Sequence, residues 1–234
     1  MRRPAVRLAR MDKRSFLSGH PLFKGLDRAA QEKLAGFARE RPMRAGEVLF
    51  RRGDTESFML AVVEGTVRVT LPSAEGRERI LAIFHPDDVL GEIALLDGKP
   101  RTADAVARSN GRLLVFERRD LLPVLRTTPE MTLALMELLC ARLRRTSDQV
   151  EEQSFLDLST RLARALLRMA DTEAHVVATQ RDLAELVGAT RESVNRRLRD
   201  WEDAGALRLG KGAVTIHDMA AMKEAAAGGE PIDI

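Results

Sequence analysis

Between Gly91 and Ala103 the chain reads GEIALLDGKPRTA, and residue types at this spacing can hold a small anion. A turn begun by Gly91 leads into a short apolar helical stretch through Ile93 and Ala94, which offers backbone N–H groups. Ten residues on, Arg101 supplies a planar, permanently charged fork that matches a phosphate. Glu92 has the opposite property. A carboxylate beside an anion is unfavourable unless it accepts from another donor, and a ribose hydroxyl meets that need. Thr102 sets a hydroxyl next to the arginine and Ala103 closes the segment. The set suits a small cyclic phosphodiester. An ordinary surface turn can also contain a Gly-Glu and an Arg-Thr pair, so the meaning of the segment depends on the elements that position it.

The chain has 234 residues, enough for two domains, and 44% of them are hydrophobic, an ordinary globular share. Eight Phe, one Trp and no Tyr leave few platforms for stacking bases, which disfavours a single-strand nucleic-acid binder. Lys and Arg number 38 against 35 Asp and Glu, a small basic excess compatible with phosphate binding but weak by itself. Cys140 stands alone, which excludes an intramolecular disulfide or a thiolate cluster built from one chain. The basic start, MRRPAVRLARMDKRSF, lacks the apolar segment of a secretion signal, and no stretch is long enough to span a bilayer. A cytoplasmic protein with no membrane partner is expected, with residues 1–19 as a basic extension.

Leu22-Phe23, Leu26, Leu34 and Phe37 predict a helix over His20 to Arg41. From Pro42 short β-type runs follow at Val48–Phe50, Phe58–Val63, Val67–Leu71, Ile80–Phe84 and Leu113–Phe116, punctuated by glycines. Strands this short predict a compact antiparallel barrel or roll within residues 20–127. Thr128-Pro129-Glu130 then combines a cap, a first-turn proline and an acid, opening a long helix over residues 128–154. Leu135, Leu139, Arg142, Thr146, Gln149 and Gln153 fall at coiled-coil spacing and predict a dimer helix whose polar seam faces a ligand; a solvated helix with accidental register is the alternative.

Residues 155–234 turn helical again, with Leu158, Leu162, Leu166 and Met169 along one face. From Gln180 to Arg199 the positions of Ala184, Gly188 and Val194 predict a helix-turn-helix, and Leu207–Leu209, Gly210-Lys211-Gly212 and Val214–Ile216 a two-stranded wing. The last fifteen or so residues read as a weak helix and a tail. The fold class is α+β: a β-roll, a long helix and a winged helix-turn-helix.

Three motifs together resemble the cyclic AMP receptor and FNR family of transcription regulators, specifically its cyclic-nucleotide-binding branch: GEIALL…RTA at 91–103, RRTSDQVEEQSFLDLSTRLA at 144–163 and LAELVGATRESVNRRL at 183–198. The resemblance spans about residues 20–217. It implies that Gly91 and Glu92 meet the phosphate and ribose, with Ile93 and Ala94 behind them, and that Arg101, Thr102 and Ala103 hold the cyclic phosphate. It implies further that Arg142 supports that contact beside Leu143, while Thr146 meets the base in its own subunit and Ser147 in the partner subunit. Cyclic AMP, a homodimer, double-stranded palindromic DNA with TGTGA-like half-sites, and RNA polymerase are the implied ligand and partners. A ligand shared between two chains gives binding a route to dimer geometry.

On the DNA side, Thr190 is expected to cap the recognition helix, with Arg191, Glu192, Ser193, Asn195 and Arg196 on its first turns. Arginine can fork onto guanine and glutamate can accept from cytosine. Arg199, Lys211 and Arg208 are read as phosphate contacts. Some positions depart from the family pattern. Asp87 replaces a usual turn glycine, Arg197 a usual apolar residue and Asn195 a small one. Thr102 also resembles cyclic-GMP-selective sites, so cyclic GMP, or both nucleotides, stays open, as does a member with another effector or none. The histidines at 20, 85, 175 and 217 are scattered and read as surface or structural residues, which disfavours a haem sensor. His217-Asp218 has no second ligand cluster to join, and no enzyme is expected.

Overall fold

The computed structural model describes residues 12–72 and 78–228. Its contacts divide the chain into two compact units: Met1–Val69 with Ile83–Cys140, and Thr70–Ala82 with Ala141–Ile234.

The first unit opens with two short helices, α1 (Lys13–Gly19) and α2 (Arg28–Phe37), in place of one helix from His20 to Arg41. Asp12 and Asp27 cap them by accepting backbone N–H groups. Pro21 and Gly25 fall in the turns between, where a continuous helix would lose a donor and backbone order. The chain becomes extended directly after α2, and β1 (Arg39–Met43) pairs antiparallel with β8 (Gly111–Glu117). Pro42 is tolerated because β1 is an edge strand. Residues 13–19, read as part of an extension, bury Leu17 completely; residues 1–11 lie outside the described residues.

Between these strands run β2 (Val48–Phe50), β3 (Phe58–Glu64), β4 (Val67–Pro72), β5 (Glu78–Phe84), β6 (Val89–Leu90), α3 (Glu92–Asp97) and β7 (Asp104–Ala107). They form two four-stranded sheets ordered β1-β8-β3-β6 and β2-β7-β4-β5. Strands β3 and β8 read as almost continuous apolar runs because each face meets its own core. Leu60, Val62, Leu113 and Val115 point into the space between the sheets, whereas Met59, Ala61, Leu114 and Phe116 pack against the helices. One such helix, α4 (Arg118–Thr127), was not anticipated, since Pro123 lies inside it. Asp87 adopts φ 68°, so the turn usually made by glycine is retained by a residue whose short polar side chain tolerates that region.

Helix α5 (Pro129–Phe155) begins at the anticipated Pro129. Its facing is the main correction to the sequence reading. Leu135 is 2% exposed and packs with Met131 in the helix-side core of the first unit, so the predicted seam starts facing inward, while Leu139, Arg142 and Gln149 are half-buried and Thr146 and Gln153 exposed. Before its last residue, Phe155, which is also exposed, the exposed large apolar residues are Leu133, Met136, Leu143 and Val150, spaced with Cys140 and Ser147 at alternating steps of three and four. Two stripes on one helix satisfy the same period, and only tertiary packing distinguishes them.

The second unit contains α6 (Leu158–Met169), β9 (His175–Val176), α7 (Gln180–Val187), α8 (Arg191–Asp203), β10 (Leu207–Gly210), β11 (Ala213–Ile216) and α9 (Met219–Ala226). Leu162, Leu166, Leu183, Val187, Val194, Leu198 and Trp201 form its core. The wing is a three-stranded sheet, β10-β11-β9, one strand more than expected.

Candidate functional site

The Gly91–Ala103 segment folds around a buried arginine. Gly91 has φ +83°, and a Cβ there would lie 2.6 Å from Arg101 Nη1 and 2.9 Å from the Phe58 carbonyl oxygen. Both the backbone conformation and the close approach therefore require glycine. Arg101, 3% exposed, donates from Nη1 to the Gly91 carbonyl at 2.8 Å and from Nη2 to the Phe58 carbonyl at 2.7 Å. Its Nε is buried without a hydrogen-bond partner. The backbone is held as firmly: Arg101 N donates to Asp54 O at 2.8 Å, and Gly53 N donates to Arg101 O at 2.9 Å.

Glu92 is 2% exposed, and Ala94 and Ala103 are buried with it, while Ile93 and Thr102 face outward. Burial pushes the Arg101 guanidinium below its ordinary pKa, opposed by the negative charges of Glu56, Glu92 and Asp54. A buried fork with an unused N–H, next to a buried carboxylate and a backbone with no room for Cβ, fits an anion joined to a hydroxyl-bearing group.

On α5, Arg142 is half-buried, Leu143 is 68% exposed, and Thr146 and Ser147 are exposed. Thr146 Oγ1 donates to Arg142 O and Ser147 Oγ to Leu143 O, both at 3.0 Å. Each hydroxyl spends its proton on its own helix and offers its oxygen outward as an acceptor.

The second unit presents a reading surface on α8. Thr190 caps the helix by accepting from Ser193 N at 3.1 Å, and donates to Ser193 Oγ at 2.9 Å. Val194, Leu198 and Trp201 anchor one side, leaving Arg191, Glu192, Arg196 and Arg199 exposed on the other. Gly188, φ +68°, ends α7 in the left-handed conformation that a tight inter-helix turn needs. Lys211 is exposed at the tip of the wing. Asn195 differs from its neighbours, because its side-chain oxygen is buried without a partner. Arg197 turns aside to Asp200 at 3.6 Å.

Sequence reasoning missed two features of this unit. A cleft of about 330 Å³ opens between the start of α7, the start of α8 and the wing, lined by Thr179, Gln180, Arg181, Arg191 and Gly212 among others. Its signal was legible in the Thr179…Asp182 capping box. The second is Glu152, 7% exposed near the end of α5, which accepts from Arg168 at 2.6 and 3.2 Å and has Arg164 at 3.7 Å. Nothing in its spacing marks it, since the arginines come from α6. Among the described residues no three potential metal ligands cluster, and no helix is long and apolar enough to cross a membrane.

The sequence profile of the cyclic nucleotide-binding domain matches residues 40–128, and that of the Crp-like helix-turn-helix domain matches residues 160–225. The chain is 33% identical to the cyclic AMP receptor protein of Thermus thermophilus, over 91% of its own length and 99% of that protein's. It is 30% identical to a CRP-like cAMP-activated global transcriptional regulator of Mycobacterium tuberculosis, over 84% and 92%. Among solved structures, the catabolite activator protein of Thermus thermophilus aligns with TM-score 0.52 at 33% identity, covering 89% of this chain and 99% of that one. The c-di-GMP-responsive global regulator CLP of Xanthomonas campestris aligns with TM-score 0.72 at 24% identity, over 81% and 99%, a likeness of fold.

A cyclic-nucleotide-binding β-roll, a long helix and a Crp-like helix-turn-helix domain define a ligand-binding transcription regulator. The chain belongs to the Crp/FNR family.

Proposed function

We propose that this regulator responds to cyclic AMP and, as a homodimer, binds palindromic DNA with TGTGA-like half-sites. The burial of Arg101 with Glu92 nearby carries the reading: one side chain suits the cyclic phosphate and the other the ribose 2′-hydroxyl. The outward acceptors of Thr146 and Ser147 favour adenine, whose amino group donates, over guanine, whose O6 accepts. The relatives whose names carry cyclic AMP support the same choice. Thr102, exposed beside Arg101, favours the second reading, in which cyclic GMP also binds through its amino group.

The exposed stripe of Leu133, Met136, Leu143 and Val150 is proposed as the face that meets a second copy, with Cys140 centred on it. Arg191, Glu192 and Arg196 are proposed to read base edges. Arg199, Lys211 and the start of α7 at Thr179–Arg181 are proposed to hold phosphates, and RNA polymerase to be a further partner.

Calorimetric titration with cyclic AMP and cyclic GMP, followed by gel retardation of a TGTGA palindrome at stated salt with each, tests the proposal. Binding of cyclic AMP with enhanced DNA affinity is expected. Activation by cyclic GMP alone would replace the ligand, and no retardation under any condition would remove the regulator's proposed site.

A further inference from the structure

The cation of the anion site rests on aromatic rings that the motif does not contain. Arg101 Cζ lies 4.2 Å from the ring centroid of Phe50 and 4.3 Å from that of Phe58. The two rings are 6.2 Å apart at 71° to each other and form a two-walled corner around the guanidinium. Phe50 is 6% exposed. It ends β2, where the pairing with β7 shifts register between Val48 and Phe50, an irregularity of the kind that redirects a side chain. Phe58 contributes twice, through its ring and through the carbonyl that accepts from Nη2.

A buried arginine needs compensation for lost water. A carboxylate in direct contact would supply it, but an arriving phosphate would then have to displace that carboxylate. Carbonyl dipoles and ring faces stabilise the cation while adding no net negative charge, so the charge stays available. The lining also excludes water, which strengthens attraction for an anion.

We propose that Phe50 and Phe58 are positioning residues of the anion site, forming a cation–π corner that holds Arg101 charged, dry and aimed for the phosphate of a cyclic nucleotide. This rests on the cyclic-nucleotide reading of the site. Two rings and two carbonyls fix the guanidinium through the fold itself, and so the corner pre-organises the fork.

The test replaces Phe50, in the full chain, with mono-, di- and trifluorophenylalanine, which drain the ring face of negative charge at nearly constant shape, and with Leu. Calorimetry reads cyclic AMP and cyclic GMP affinity, and NMR of the ligand-free protein reads the Arg101 Nε–H resonance. Affinity is expected to fall stepwise with fluorine count, to roughly tenfold weaker for the trifluoro ring. The Nε–H resonance is expected to carry a ring-current shift that Phe50→Leu removes. A flat or rising affinity series, in a protein that binds nucleotide, would overturn the positioning role alone. An Arg101 resonance without a ring-current shift would overturn the contact itself. If the wild-type chain bound neither nucleotide, the reading of the site would fall and the positioning role with it, while the resonance would still report the ring contact.

Discussion

The two units handle arginine in opposite ways. In the first, Arg101 is buried, donates to two carbonyls and sits against two rings, so its geometry is set by the fold. In the second, Arg191, Arg196 and Arg199 extend into solvent from a helix anchored by Val194, Leu198 and Trp201. A single small anion of fixed shape rewards a rigid, dehydrated fork, because the cost of ordering is met during folding. A long polyanion offers many phosphates and variable base edges, and hydrated side chains on a rigid helix can adjust to them. A third arrangement lies between these. Arg168 and Arg164 are committed to the buried carboxylate of Glu152, tying the end of α5 to α6.

The largest expected effect strikes the rigid fork. Arg101→Ala should weaken cyclic-nucleotide binding by about 2–5 kcal/mol, roughly thirtyfold to several thousandfold in Kd by calorimetry, with circular dichroism unchanged. Wild-type affinity in that variant would erase the contrast between the two units.

A smaller effect is expected on the exposed surface. Arg196→Ala should cost about 1–3 kcal/mol at a cognate half-site and relax discrimination at one base pair. Arg199→Ala should instead weaken all sequences alike and lower the salt slope by about one. If Arg196→Ala also behaved uniformly, Arg196 would join the phosphate contacts.

The smallest expected effect concerns the buried histidine of the first unit. His20, 3% exposed, accepts from Leu22 N at Nδ1 and lies between Phe16 and Phe23. Burial lowers its pKa from 6.5, with the Asp87 charge opposing. A depressed histidine means that the unfolded chain takes up the proton first, so stability should decline modestly as pH falls below 6.5. Thermal melts of wild type and His20→Asn between pH 7.5 and about 5 should show a shallower decline in the variant. Equal slopes would show that His20 contributes nothing to the pH dependence of stability.

Where local signals were strong, the sequence was legible. Ala184, Gly188 and Val194 marked the helix-turn-helix, and Pro129 marked the start of α5. Gly91, Glu92 and Arg101 formed a readable set because one short turn brings them together. The single helix expected from His20 to Arg41 failed at Pro21 and at β1, whose extended conformation comes from pairing with a strand about seventy residues away.

Residue type and short-range spacing by themselves determined the architecture, the charged fork and the reading helix, since caps, turns and periodicity act within a few residues. Only tertiary structure decided which stripe of α5 is buried, that Glu152 meets two arginines of α6, and that Phe50 and Phe58 wall in Arg101. Each of these depends on groups distant in sequence arriving at one place, and burial and ring contact exist only once the chain has folded.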